Sequence, residues 1–159
     1  MRKISYILIV FFLIFILSGC KNYPSAAKLP DGFVDDKEAF GDSLKKFGEA
    51  SDITNGSDRN ASGEETKSVL SLTLGSIESS KKVSDEFLDY LHPNLKNYYH
   101  DKFVKSQQLY YEGLSQSKGN DTMESESVKK QIEAGKLMKE WLAWYELTDK
   151  EIVDKLFAE

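Results

Sequence analysis

Residues 121–159 read DTMESESVKKQIEAGKLMKEWLAWYELTDKEIVDKLFAE, and this stretch decides the fold. Asp121 with Glu124 has capping-box spacing, in which two side chains three apart satisfy free backbone N–H groups at a helix start. Apolar residues then return at helical intervals through Val128, Ile132, Leu137, Trp141 and Trp144, giving one face to bury and one to solvate. Thr148 with Glu151 repeats the capping signature, so the spacing predicts a separate terminal helix bearing Ile152, Val153, Leu156 and Phe157. Helices with apolar stripes must be covered by other elements, and the rest of the chain supplies more helices.

Before Gly119–Asn120, a helix stop, the residues Leu95, Tyr99, Phe103, Leu109, Tyr110 and Leu114 trace a helix face that runs to about Ser117. Pro93 ends one helix and can open another, because its missing N–H is not needed in a first turn. Upstream, Ser62 and Glu65 open a long pattern reaching Leu91, with Val69, Leu72, Ile77, Val83, Phe87 and Leu91 pointing inward. The Ser79–Lys82 patch marks a bend or solvated turn. A strand over Val69–Leu74 is the rival reading, but a lone strand has no partner to pair with. Asp35 and Glu38, followed by Phe40, Leu44 and Phe47, predict a short amphipathic helix from about Asp36 to Ala50, weakened by Gly41 and Gly48. Ser51–Gly63 is polar and rich in Gly, Ser and Asn, the composition of a flexible linker. The absence of a fixed repeat period argues against tandem helical hairpins. The expectation is an all-α protein, a small antiparallel helical bundle over 63–159 preceded by a short helix at 34–50 and a linker at 51–62.

A length of 159 residues allows one domain and hardly two. With 21 basic against 26 acidic side chains the net charge is −5, which opposes binding to phosphate backbones, so no nucleic-acid partner is expected. The single cysteine, Cys20, cannot form an intramolecular disulfide, and no Cys/His spacing suits a zinc site.

That cysteine has a different use. Arg2 and Lys3 lead into an apolar run from Ile4 to Leu17, shorter than the ~20 residues a membrane-spanning helix needs. Leu17, Ser18, Gly19 and Cys20 follow, and here the sequence resembles the lipobox of bacterial lipoproteins. The resemblance implies export, attachment of diacylglycerol to the Cys20 sulfur, and cleavage before Cys20 by a type II signal peptidase. Residues 1–19 are then a signal peptide, and residues 20–33, with Pro24, Pro30 and an Asp31–Gly32 turn signal, a lipidated N-terminus and tether. Acyl chains give a membrane partner without a spanning helix. Loss of Arg2 and Lys3 with the leader takes the formal charge to about −7. Acylation of Cys20 leaves the mature domain without a free thiol. Lys21, where inner-membrane retention would place Asp, implies the periplasmic leaflet of the outer membrane in a Gram-negative host.

Candidate chemistry is sparse. His92 and His100, the only histidines, lie on either side of the Pro93 break, and no further imidazole or thiolate completes a tetrahedral site, so no metal or other cofactor is expected. His92 is read instead as a group that caps or packs the bend. No phosphate loop, nucleophile elbow or dinucleotide fingerprint occurs, and no catalytic residue is assigned. Trp141, Trp144 and Tyr145, with Tyr98, Tyr99, Tyr110 and Tyr111, have the spacing of a bundle core and equally that of an aromatic binding cluster. Neither tyrosine doublet can point both members inward. Tyr98, Tyr111, Trp141, Trp144 and Tyr145 are therefore the candidate partner-binding residues. Three functions stand open: a non-enzymatic accessory or assembly factor that binds an envelope protein, which leads; a small-ligand or peptidoglycan binder using an aromatic cleft; and a hydrolase, which would need a concave pocket holding a perturbed carboxylate or His100 beside a serine. Exposed neighbouring tryptophans would favour the second, and burial of both would count against it.

Overall fold

The computed structural model describes residues 29–56, 63–117 and 121–157, and every regular element among them is helical. Helix α1 (Val34–Gly56) follows a single 3-10 turn at Asp31–Phe33, α2 is Gly63–Ser80, and α3 is the short Asp85–Leu91. Helix α4 is a continuous run over residues 95–116 whose middle, Tyr99–Val104, is wound as a π-helix between the α-helical Leu95–Tyr98 and Lys105–Gln116. Helix α5 is Glu126–Leu156. The signal peptide, the lipobox, Cys20, the Ser62 cap and the Gly119–Asn120 stop lie outside the described residues.

Side-chain pairings fix the directions of the helices. Between α1 and α2, the Asp42 carboxylate accepts from Ser79, the Ser76 hydroxyl donates to the Ser43 carbonyl at 2.6 Å, and the Lys46 side chain lies over Gly75, where a Cβ would meet it at 3.2 Å. Between α4 and α5, Lys102 pairs with Glu140 at 2.6 Å and Lys130 with Glu112 at 2.8 Å, so rising residue numbers on one helix meet falling numbers on the other. Both pairs are thus antiparallel, as short connections require. Near the far end of α4, a Cβ on Gly113 would stand 2.6 Å from the Ser127 carbonyl oxygen, so glycine there sets how closely α4 and α5 approach.

The main core lies where α1, α3, the π segment and the C-terminal half of α5 converge. Phe40, Phe87, Leu88, Leu91, Leu95, Tyr99, Phe103, Trp141 and Ile152 are all buried there. Each such side chain contributes about 1.5–3 kcal/mol by leaving water. Phe40 packs against Tyr99 with tilted rings 5.3 Å apart, and Phe47 meets Phe103 edge-on at 5.5 Å, so α1 belongs to the same core as the bundle. Elsewhere the α1–α2 seam is polar. Ser43, Thr73, Ser76, Ser79 and Ser80 are buried along it, a spacing of small side chains that lets the two helices lie close together.

Several expectations need correction. Thr148 is not a helix start: α5 passes straight through it, and its hydroxyl donates back to the Trp144 carbonyl at 3.1 Å. The buried stripe of α5 is Ser127, Ala134, Trp141, Tyr145, Ile152 and Leu156, and its spacings of seven and four carry one continuous face across the predicted break. Ile132, expected inward, is 40% exposed. Helix α5 begins at Glu126 behind Ser125, and Asp121 accepts instead from the hydroxyls of Ser117 and Ser127. Asp35 lies inside α1 rather than capping it, and α1 extends through Ser51–Gly56, which the composition read as linker. The long helix expected up to Leu91 is broken at Lys81–Lys82, within the Ser79–Lys82 patch whose composition marks a bend. It restarts at Ser84, whose side chain accepts from the Phe87 N–H.

Candidate functional site

His92 follows the last residue of α3 in an extended conformation, releasing the chain into the Pro93–Asn94 turn. The Asn94 N–H donates to His92 Nδ1 at 3.1 Å, which makes Nδ1 the acceptor and leaves Nε2 facing Glu151 at 3.8 Å. The imidazole is thereby held edge-on to Trp144, with ring centres 5.3 Å apart. His92 thus both braces the bend and touches an aromatic group.

Tyr98, at the end of the first α-helical turn of α4, lies flat on Trp144 with centroids 4.4 Å apart and planes 9° from parallel. Both rings are half-buried. Beneath them Trp141 is 5.8 Å from Trp144 and only 2% exposed, and Tyr145 is 5.1 Å from Trp141. One turn further along α5, Leu147 is 87% exposed beside Trp144 on the helix surface. On the other side, Lys102 and Glu140, each four residues from a member of the stacked pair, close the ledge with their ion pair. The salt bridge holds the Lys102 ammonium above its usual range, chiefly through the Glu140 hydrogen bond.

Of the five candidate residues, the structure therefore brings Tyr98 and Trp144 together at the surface and places Trp141 and Tyr145 in the core below. Tyr111, half-buried, lies about 20 Å along α4 from Tyr98 and is no part of this ledge. The doublet rule holds at Tyr98–Tyr99, where Tyr99 is fully buried and Tyr98 half-buried, and at Tyr110–Tyr111, where neither member is fully buried. Sequence reasoning missed Leu147; its signal was an apolar residue off the buried stripe.

Tyr99 anchors a second polar cluster. Its hydroxyl is 2.8 Å from Ser43 Oγ and 3.1 Å from Ser80 Oγ, while Ser43 donates to the Phe40 carbonyl and Ser80 to the Ser76 carbonyl. The hydroxyl protons of Ser43, Ser80 and Tyr99 are shared among these contacts, which fixes the π segment against both α1 and α2. Burial pushes the Tyr99 hydroxyl up to about 12, against a smaller lowering by the two serines. Such a group stays protonated and structural at neutral pH. At the outer end of the same seam, Lys46 lies 3.3 Å from Ser79, yet its ammonium is held by Asp42 at 2.6 Å. That hydrogen bond, with a second from Ser79, lowers the Asp42 carboxyl below its ordinary range. An ammonium so paired is no general base for the serine.

His100 meets Asp85 at 3.0 Å, and Lys96 meets the same carboxylate at 2.8 Å, tying α4 to the start of α3. The Lys96 hydrogen bond first, and that of His100 second, hold Asp85 below its ordinary range. Among the described residues, no group of three or more His, Cys, Asp or Glu side chains could hold a metal ion. No helix among them is long and apolar enough to cross a membrane. Comparison of the chain with family models, curated proteins and solved structures finds no match.

Proposed function

We propose that the protein is a lipid-anchored component of a bacterial envelope that acts without catalysis, by binding another protein at the Tyr98–Trp144 ledge. Address and action rest on different residues. The address rests on the lipobox Leu17–Cys20 and the acylation it implies, with the outer membrane's periplasmic leaflet as the site in a Gram-negative host. The action rests on the ledge, where a stacked Tyr–Trp pair is seated on the buried Trp141 and flanked by the exposed Leu147. Tryptophan and tyrosine fixed by a core beneath them lose little side-chain freedom on binding, which is why such residues dominate interfaces. Acyl anchoring raises the local concentration of such a surface beside membrane partners.

A saccharide platform needs a flat, open ring face, and Trp144 has Tyr98, His92 and Trp141 around it with centroids within 5.8 Å. Contact along the rim of the ledge suits a protein surface better than a stacked sugar.

The test is a photo-crosslinking amino acid at position 98 in living cells, with the same group at the exposed Lys129 as control. The expected result is a discrete adduct from position 98 that Leu147→Ser weakens and that position 129 does not give. Equal capture from both positions, or from neither, would remove the ledge from the proposal.

A further inference from the structure

We propose that the anchored bundle rests one particular end on the bilayer, with Val34, Lys37 and Phe157 as the contact, so that the tether sets orientation as well as address. This inference rests on the acylation of Cys20 proposed above.

The geometry limits which parts of the domain can reach the lipid. At about 3.5 Å per residue, the stretch from Cys20 to Leu29 spans at most ~30 Å. Leu29 and Phe33 pack against the core, Phe33 meeting Phe87 at 5.5 Å and Tyr90 at 5.4 Å. Tyr90 in turn receives Lys155 on its carbonyl at 2.8 Å, so the tether enters at the end where α5 finishes. Helix α5, at 31 residues, is about 45 Å long. An inverted domain, with the start of α5 on the membrane, would hold Leu29 further from the surface than the tether reaches.

The end that the tether keeps near the lipid is also the end with the chemistry to touch it. Val34 is 50% exposed at the start of α1, and Phe157, just after α5, is 56% exposed. Lys37, one turn on from Val34, places its ammonium 4.8 Å from the centre of the Phe157 ring. An aliphatic group, an aromatic ring and a lysine able to extend toward phosphate form an interfacial set. Two exposed apolar side chains make a weak contact in free solution, but an acyl tether supplies them at millimolar-scale effective concentration. Asp31 and Asp35 share this end and are exposed, so the surface that fits is zwitterionic phospholipid, and anionic lipid repels it.

The acylated chain has no free thiol, so a single introduced cysteine is the only labelling site. Full-length Asp35→Cys, Glu146→Cys and Met123→Cys proteins, purified from membranes, are labelled with an environment-sensitive fluorophore. Each is placed in phosphatidylcholine vesicles containing a nitroxide-headgroup lipid. Quenching is expected to be strongest at position 35, weaker at 146 and absent at 123. Adding Val34→Ser with Phe157→Ser should reduce quenching at 35 while keeping a single cooperative thermal unfolding transition, since neither side chain belongs to the buried core. Mass measurement of Cys20 separates the two layers of the argument. Absence of the acyl group overturns the anchor and the contact together, whereas an acylated protein quenched equally at all three positions, or most at 146 or 123, overturns the contact alone.

Discussion

Tyr99 shows how one residue can be decided by burial. In its π segment it lies against Phe40, Phe103 and Trp141 while its hydroxyl links α1 to α2. Tyr99→Phe keeps the ring but removes the hydroxyl's contacts with Ser43 and Ser80, which retain their bonds to the Phe40 and Ser76 carbonyls, so it should cost about 1 kcal/mol in chemical denaturation. Tyr145 is likewise pushed up to about 12, by burial first and by the charge of Asp149 second. Both tyrosines ionise in the unfolded chain near 10.0 and in the folded chain only near 12. Their contribution is therefore complete below pH ~10 and is lost as pH rises from there through ~12, by roughly 2–3 kcal/mol for each. Denaturation midpoints measured against pH should fall across that window, and Tyr99→Phe should shallow the fall. Gln107 is the opposite case. It is 2% exposed, and neither its amide oxygen nor its nitrogen has a hydrogen-bond partner among the described residues. Replacing it with Met, of similar shape and without a strong polar group, should raise stability by about 1–2 kcal/mol. A loss of stability, read from the same denaturation curves, would show that the amide has a role this packing does not reveal.

At the level of elements, α5 gives the sharpest contrast between pattern and structure. A capping box is a local signal, and Thr148–Glu151 satisfies it, but the stripe from Trp141 and Tyr145 to Ile152 and Leu156 keeps one register across that point. Burying it without a break outweighs a cap worth about 1 kcal/mol. Thr148→Ala separates the readings. At a true N-cap it would cost about 1 kcal/mol, whereas in mid-helix, with the hydroxyl turned back on Trp144, it should be neutral or stabilise by a few tenths of a kcal/mol. The same distinction explains what was legible elsewhere. The helical class, the Pro93 corner and the Ser79–Lys82 bend follow from periodicity and from residues that forbid helix or favour solvent. The π segment was not legible, because its extra residue per turn is set by how Tyr99, Phe103 and Val104 are all buried together, a tertiary demand. The continuation of α1 through Ser51–Gly56 was hidden by poor helix formers. At the ledge, the sequence marked Tyr98 and Trp144 as members of an aromatic set but could not separate them from Trp141 and Tyr145. Which ring lies under which depends on the α4–α5 register that Lys102–Glu140 and Gly113 hold in place.

For the whole molecule, the fold and the address make complementary demands. The described helices contain no cysteine, and the proposed anchoring by acyl chains on Cys20 would leave every one of them to pack in water. The proposed contact would hold one end near the membrane, and the ledge, on the flank of α4 and α5, would then stand within reach of a neighbouring envelope protein. The claim on which this picture stands is covalent and can be weighed. Intact-mass spectrometry of the protein extracted from its own membranes should find a chain beginning at Cys20 and carrying thioether-linked diacylglycerol, with Cys20→Ala accumulating unprocessed. A chain that retains Met1 to Gly19 with an unmodified Cys20 would contradict it.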